Sequence, residues 1–284
     1  MSGVTIATSL DDALRALATD PAPTILAGGT DLMVELNMGH RRVASVVAVD
    51  RVPELRTWRH DAAARTLYLG AGVTYDEISR DPIAGLVPAL AQAARTVGSP
   101  QIRHAATIGG NLGTASPAGD GLPVLAALEA TVHLASATGT RDVPFAEFCT
   151  GPKRTVRRPD ELIVGVTVPE LDGFQGYAKV GTRNAMVISI AGACLAADVP
   201  SRSIRVALGS VGPIILRAPD AEALAAAGVD WEAGRASADL VQEFGLAVAA
   251  AARPIDDHRA TAAYRRHAVA VLAGRLLRRA FPHE

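Results

Sequence analysis

The two most informative segments of this chain are Ile25-Leu26-Ala27-Gly28-Gly29-Thr30-Asp31-Leu32 and Thr107-Ile108-Gly109-Gly110-Asn111-Leu112-Gly113-Thr114-Ala115-Ser116-Pro117. In each segment, apolar residues lead into a Gly-Gly pair that is followed by a small polar residue. Glycine tolerates positive φ and carries no Cβ that could block a ligand. Successive amides in such a turn can form a concave site for an anion. The segments also carry short hydrogen-bonding side chains, at Thr30, Asn111, Thr114 and Ser116.

These glycine turns differ from the common nucleotide-binding motifs. The chain contains no Gly-x-x-x-x-Gly-Lys-Ser/Thr and no Gly-x-Gly-x-x-Gly that opens a βαβ unit. Neither turn contains lysine, so phosphates would be held by backbone amides. A Gly-Gly pair commonly makes a turn and nothing more. Ligand binding is favoured here because two turns share one form, and the second lies in residues 98–121, which have little periodicity and are predicted to form a long loop.

Composition excludes several classes of protein. The chain has 284 residues, 49% hydrophobic and 20% charged, which predicts a folded core rather than disorder. Its formal net charge of −1 disfavours a nucleic-acid binder. Two cysteines, Cys149 and Cys194, are too few for an iron–sulfur cluster, and no metal site is expected. No signal peptide or transmembrane segment is recognised, so the expected location is cytoplasmic.

Periodicity predicts an α+β chain. A helix is expected from Leu10 to about residue 22, and Thr74 with Glu77 predicts a capping box at another helix start. After a boundary near residues 171–173, strands are followed by helices, which is typical of an α+β domain. The predicted strands are 24–27, 46–49, 66–70, 131–135, 162–168, 174–180, 188–197 and 204–209. The other predicted helices are 86–97, 122–130, 221–227, 236–252 and 261–280.

The sequence resembles the FAD-binding medium subunit of molybdenum hydroxylases, a family that includes the flavin subunits of carbon monoxide, xanthine and nicotine dehydrogenases. The resemblance rests on AGGTDL at 27–32, TIGGNLGTASPAGD at 107–120 and AYRRH at 263–267. It implies a two-lobed FAD-binding domain of the PCMH type at residues 1–171, with its lobes divided near 55–60. It also implies a smaller C-terminal α+β domain at 172–284, a three-stranded sheet with helices that covers the flavin.

The resemblance also implies roles for particular residues around FAD. The first turn would wrap the pyrophosphate with Ile25, Leu26, Ala27, Gly28, Gly29, Thr30, Asp31 and Leu32. The second would grip it with Thr107, Ile108, Gly109, Gly110 and Asn111. Thr114 and Ser116 would lie along the ribityl chain, and Asp120 would contact that polyol. Val97, Leu162, Ile163 and Lys179 would lie near the ring system. No catalytic side chain is implied.

Taken without the resemblance, several of these residues have ordinary structural explanations. Asp120 precedes Gly121-Leu122-Pro123 and could cap the next helix. Val97, Leu162 and Ile163 are typical core residues, and a strand lysine such as Lys179 usually faces solvent. Tyr177 could shield a flavin face or pack in the core. The chain also departs from the family at Asn184-Ala185-Met186, where relatives often carry an acidic or polar residue.

The function implied is electron transfer. Substrate would be oxidised at a molybdenum centre on a large molybdopterin-binding subunit, and a small subunit with [2Fe-2S] clusters would pass the electrons to this chain's FAD. The expected assembly is a heterotrimer, either single or dimerised, that reduces an acceptor such as NAD, oxygen or a quinone. Two alternatives stay open: a self-contained flavin-dependent oxidoreductase of related fold, and a binding module whose turns are structural. The basic last helix is either a solvated face or a partner surface.

Overall fold

The computed structural model describes residues 3–282, which form an α+β fold with four β-sheets. The predicted fold class is confirmed. Buried apolar side chains form two clusters, one mainly within residues 7–168 and one within residues 191–281. The predicted domain boundary near residue 171 falls between the last strand of the first region and the first strand of the second.

The first sheet is parallel and has the strand order β1-β3-β2. Its strands are Gly3–Ile6 (β1), Thr24–Leu26 (β2) and Ser45–Ala48 (β3), connected by helices Leu10–Leu17 (α1) and Leu32–Asn37 (α2). Ser9 starts α1, because its hydroxyl accepts a hydrogen bond from the Asp12 amide at 3.1 Å. Helix α1 ends before the predicted residue 22. The Thr19 hydroxyl donates to the carbonyl of Ala16, and Pro21 has no amide to continue the helix.

The second sheet is antiparallel and has the order β4-β5-β10-β6-β7. Its strands are Trp58–Asp61 (β4), Thr66–Gly70 (β5), Thr131–Ser136 (β6), Gly139–Pro144 (β7) and Leu162–Pro169 (β10); Cys149–Gly151 (β8) and Arg154–Thr155 (β9) pair as a separate hairpin. Strand β10 lies in the centre and is largely buried. Strand β4 is exposed along its whole length, so no apolar alternation marks it in the sequence. The predicted division between lobes, near 55–60, lies at the start of the second sheet, because β4 begins at Trp58.

A run of short helices lies between β5 and β6. These are Tyr75–Ile78 (α3), Ile83–Leu86 (α4), Pro88–Thr96 (α5), Pro100–Ala105 (α6), Ile108–Thr114 (α7) and Gly121–Ala127 (α8), and Phe145–Phe148 (α9) follows β7. The predicted capping box is confirmed. The Thr74 hydroxyl accepts from the Glu77 amide at 3.2 Å, and the Glu77 carboxylate accepts from the Thr74 amide at 2.9 Å.

The prediction that residues 98–121 form a loop is wrong, because α6 and α7 lie inside this stretch. Each helix begins at a capping hydroxyl. Ser99 accepts from the Ile102 amide at 3.3 Å, and Thr107 accepts from the Gly110 amide at 3.0 Å. Caps satisfy amides that a helix start leaves unpaired, so they stabilise helices even where glycine disfavours them.

The C-terminal region is a four-stranded antiparallel sheet covered by three helices. Its elements are Gly173–Val180 (β11), Ala191–Asp198 (β12), Ser203–Gly209 (β13), Leu216–Arg217 (β14), Pro219–Gly228 (α10), Ala238–Ala251 (α11) and Ala262–Ala280 (α12). The three predicted strands are present, and the two-residue β14 was missed because it is too short to show a period. Within the described residues, no helix is long and apolar enough to cross a membrane.

Strand β12 joins the two cores. Cys194 and Ala196 belong to the first cluster, whereas Ala193, Leu195 and Ala197 belong to the second. Successive strand residues point to opposite faces. Both faces of β12 are therefore covered, which explains why its sequence is continuously apolar rather than alternating.

Candidate functional site

A cleft of about 1120 Å³ lies where the first sheet, the α6–α7 segment, the start of β10 and the β11–β12 loop meet. The cleft wall contains every predicted site residue except Ile108 and Lys179. These are Ile25, Leu26, Ala27, Gly28, Gly29, Thr30, Asp31, Leu32, Val97, Thr107, Gly109, Gly110, Asn111, Thr114, Ser116, Asp120, Leu162 and Ile163. The fold therefore brings both glycine segments to a single cavity.

The first glycine turn packs directly against the second segment. A Cβ at Gly28 would lie 1.6 Å from the carbonyl oxygen of Ala105, at the end of α6. The next residue, Gly29, has a φ of +71° and accepts through its carbonyl from the Met33 amide at 3.0 Å. Glycine is thus required at 28 by close approach and is favoured at 29 by conformation.

The amides of residues 28–32 make no hydrogen bond to any described residue. Gly28, Gly29, Thr30 and Leu32 are partly buried, and all five residues line the cleft. Backbone N–H groups are strong donors that folded proteins rarely leave unpaired. A run of consecutive amides around a positive φ therefore forms a concave site for an anion.

The second glycine segment is different, and the expectation of a matching amide site there is wrong. The amides of Ile108, Gly109 and Gly110 donate to the Val73 carbonyl at 3.0 Å, the Ala71 carbonyl at 2.9 Å and the Thr107 hydroxyl at 3.0 Å. None of the three is available to a ligand. Glycine is needed at 109 for packing, because a Cβ there would lie 2.4 Å from that of Ala71.

Polar side chains of the cleft provide further hydrogen-bonding groups. The hydroxyls of Thr30 and Thr114 make no hydrogen bond to any described residue, and Ser116 accepts only from the Ala118 amide at 3.3 Å. Tyr75 donates to the Asn111 side-chain oxygen at 2.7 Å, which orients the amide of Asn111. Burial raises the pKa of Tyr75, so it remains a neutral donor.

Asp120 lines the cleft, and two residues of the C-terminal region donate hydrogen bonds to its carboxylate. Its carboxylate accepts from Lys179 Nζ at 2.6 Å and from the Tyr177 hydroxyl at 2.9 Å, with the Thr96 hydroxyl at 3.3 Å. Burial raises the pKa of Asp120, and the Lys179 ammonium opposes this shift. The carboxylate is therefore fixed in place, and it does not cap α8.

Lys179 and Tyr177 are buried rather than solvent-facing. Lys179 also donates to the carbonyls of Thr96 at 3.0 Å and Val187 at 3.2 Å, so its three N–H groups are all used within the protein. Tyr177 is 5% exposed and does not line the cleft. Of the two roles considered for Tyr177, packing is the one that the structure supports.

Apolar side chains line the remaining wall. Leu162 and Ile163 are buried, and Val97 is half-buried. The β11–β12 loop adds Met186 and Ile188, each 54% exposed. The cleft is thus polar at the first glycine turn and apolar beside β10.

The predicted site residues left out other polar or charged residues of the cleft wall, among them Arg41, Tyr75, Lys153 and Arg157. They lie outside both glycine segments, and only the fold brings them together. One signal was present in the composition. The chain has just two lysines, Lys153 and Lys179. Lys153 lines the cleft, and Lys179 donates a hydrogen bond to Asp120, which also lines it.

Comparison with known proteins gives the family. Residues 1–171 match the family model described as the FAD binding domain in molybdopterin dehydrogenase, and residues 176–280 match the CO dehydrogenase flavoprotein C-terminal domain. The chain belongs to this family of FAD-binding medium subunits. It is an oxidoreductase component, and its cofactor is FAD. The family recognised in the sequence is therefore confirmed.

Individual relatives agree with the family match. The chain is 32% identical to the glyceraldehyde dehydrogenase medium chain of Sulfolobus acidocaldarius over 94% of this chain and 93% of that protein. It is 36% identical to the nicotinate dehydrogenase FAD-subunit of Eubacterium barkeri, over 65% of this chain and 64% of that one. Its fold matches a chain of carbon monoxide dehydrogenase from Hydrogenophaga pseudoflava with a TM-score of 0.86, at 27% identity, over 98% and 96% of the two chains.

The cleft of this FAD-binding subunit fits the chemistry of FAD. The unpaired amides of residues 28–32 suit a diphosphate, the hydroxyls suit a polyol, and the apolar wall suits an aromatic ring system. Within residues 3–282, no group of three or more His, Cys, Asp or Glu side chains is arranged to hold a metal ion.

Proposed function

We propose that this subunit carries electrons within a multi-subunit molybdenum-dependent dehydrogenase or hydroxylase, from iron–sulfur clusters of a partner subunit through FAD to an external acceptor. The observation that carries the proposal is the row of unpaired amides at residues 28–32, which faces a cleft with an apolar far wall. The polar part of the cleft matches the diphosphate of FAD, and the apolar part matches its ring system.

Each part of the cleft has a proposed task. The amides of residues 28–32 bind the diphosphate, and Thr114 and Ser116 hydrogen-bond the ribityl chain. Asp120 accepts from a ribityl hydroxyl, since Lys179 and Tyr177 already orient its carboxylate. Leu162 and Ile163 pack against the ring system and exclude water from it. Lys179 acts as a positioning residue, because its N–H groups are occupied within the protein.

FAD supplies the redox chemistry, and the protein supplies binding, orientation and electrostatics. We assign no side chain as an essential acid or base. The proposed partners are a large molybdopterin-binding subunit and a small [2Fe-2S] subunit in a heterotrimer. The proposed acceptor is NAD, oxygen or a quinone. The relatives named above as medium chain and FAD-subunit support a role within a larger assembly. The cytoplasmic location stays a prediction.

The alternative is a self-contained flavin-dependent oxidoreductase. It would require polar groups that converge on the open face of the ring system. The exposed residues beside that part of the cleft, Met186 and Ile188, are apolar. This observation favours the electron-transfer proposal.

Spectroscopy and co-purification test the proposal together. The purified chain, saturated with FAD and then desalted, should keep flavin absorption bands in stoichiometric amount. A tagged chain expressed from its native locus should co-purify with a molybdopterin protein and an iron–sulfur protein. Absence of flavin bands would contradict FAD binding by the cleft. A lone chain that oxidises a substrate of its own would establish the alternative.

A further inference from the structure

Lys153 occupies a particular position between the two glycine segments. It lies at the tip of the β8–β9 hairpin and lines the cleft. Its amide donates to the carbonyl of Ala115, at the end of α7, at 3.2 Å. Its ammonium bonds to Glu35 on α2, the helix that follows the first glycine turn. The backbone of Lys153 is thus anchored to one segment and its side chain reaches towards the other.

The ammonium of Lys153 retains binding capacity. It carries three N–H donors, and Glu35 is the acceptor found for it among residues 3–282. Its side chain is 55% exposed, so the other donors are accessible from the cleft. The hydrogen bond to Glu35 raises the pKa of Lys153, which keeps the side chain cationic.

Other charged groups line the cleft beside Lys153. Arg157 donates to the carbonyls of Arg158 at 2.8 Å and Glu161 at 2.7 Å, which fixes its guanidinium. Arg41 lies 3.7 Å from Glu35. Asp31 also interacts electrostatically with Lys153. Lys153 is thus one of several charged groups in the cleft wall, and it shares its partner Glu35 with Arg41.

We infer that Lys153 is a phosphate-binding residue of the cleft, which contacts the diphosphate held by the amides of residues 28–32, and that Glu35 competes with the diphosphate for its ammonium. The ligand class is a nucleoside diphosphate, free or as part of a dinucleotide. The inference rests on the proposed function of the cleft. It adds a charged group to a site that the first glycine turn alone would form from neutral amides. A lysine ammonium next to phosphate makes a charge-assisted hydrogen bond, which is stronger than a neutral one.

Titrations with three ligands test the inference on the full chain. ADP and FAD contain the diphosphate, and riboflavin lacks it. Lys153→Gln should weaken ADP and FAD binding about tenfold and leave riboflavin binding unchanged, since the lost contact is to phosphate. Lys153→Arg should restore binding to within about twofold, because it keeps the cation. Glu35→Gln should bind ADP more tightly than the wild type, because the competing carboxylate is gone.

Arg154→Gln is the matched control. Arg154 is the next residue, is exposed and does not line the cleft, so the variant loses the same charge without the proposed contact. If Lys153→Gln and Arg154→Gln bind ADP with equal affinity while the wild type binds FAD normally, the inferred role of Lys153 is overturned and the proposed function is not. A wild type that binds neither FAD nor ADP would overturn the proposed function as well. Thermal unfolding of each variant identifies any loss that comes from misfolding.

Discussion

Gly28 lies so close to α6 that the two glycine segments meet at this residue. Its missing side chain leaves room for the carbonyl of Ala105, while Gly29 supplies the positive φ that turns the amides towards the cleft. Gly109 lacks a side chain for another reason, which is contact with Ala71. Two identical dipeptides thus have different structural roles, one in a turn with unpaired amides and one in a packing contact.

Gly28→Ala should abolish FAD binding and destabilise the protein. The added methyl would overlap a backbone oxygen at 1.6 Å, so the turn must move away from α6 and disturb the amides of residues 28–32. We expect a loss of about 1–3 kcal/mol in the free energy of unfolding. Flavin absorbance and chemical denaturation measure the two effects. Gly3→Ala, where nothing lies within 4 Å of the new Cβ, is the control. Normal flavin content in Gly28→Ala would contradict the proposed role of the turn.

Lys179→Met should destabilise the protein by about 3–5 kcal/mol at pH 7, because it leaves the Asp120 carboxylate buried without its cation. Burial raises the pKa of Asp120 in the folded state, and loss of Lys179 raises it further. A carboxyl whose folded pKa is raised binds more protons when folded than when unfolded. Folded stability then increases as pH falls through the folded pKa towards the unfolded value of about 3.9.

The deficit of Lys179→Met relative to the wild type should therefore shrink between pH 7 and pH 5, as measured by urea denaturation at each pH. The double variant Lys179→Met with Asp120→Asn removes the titrating group, so it should lack the gain in stability towards pH 5 that Asp120 gives to Lys179→Met. A Lys179→Met deficit that is constant across this range would mean that the buried charge of Asp120 is not what destabilises the variant.

At the scale of elements, strands with an apolar pattern were predictable and short capped helices were not. The β12 strand shows its burial in a continuous apolar run, and the Thr74 capping box has a sequence signature. Helix α7 has no such pattern. Its sequence contains three glycines, and it persists because Thr107 caps it and its first amides bond to residues 71 and 73. Those partners are distant in sequence. The sequence alone therefore could not show that the amides of residues 28–32 are unpaired and that those of residues 108–110 are hydrogen-bonded.

Hydrogen exchange measured by mass spectrometry should distinguish the two segments. On addition of FAD, peptides covering residues 28–32 should exchange more slowly, because their free amides gain acceptors. Peptides covering residues 108–110 are already hydrogen-bonded and should change little. Peptides from α11, which does not line the cleft, provide the baseline. Equal protection of both segments would show that FAD acts by closing the cleft rather than by accepting from the first turn.

At the scale of the whole molecule, the cleft depends on three parts of the chain that are distant in sequence. The first sheet presents the glycine turn, β10 presents the apolar wall, and the C-terminal region both orients Asp120 and adds the β11–β12 loop. The two motifs identified the parts of the wall formed by the first glycine turn and by α7, because glycine turns carry local signals. The cations at 41, 153 and 157 were missed, because a charged surface side chain has no local signal that indicates where the fold will place it.

If FAD spans the cleft from the glycine turn to the β11–β12 loop, the two ends should respond to different ligands. Met186→Asp puts a charge beside the proposed ring site, and aspartate tolerates the positive φ of 51° at this position. We expect FAD affinity to fall about tenfold through lost apolar contact, with ADP affinity unchanged. Fluorescence titration measures the affinity for FAD, and calorimetry measures the affinity for ADP. Val199→Asp, 52% exposed and outside the cleft, is the control. Equal losses for both ligands would contradict a ring site at the loop.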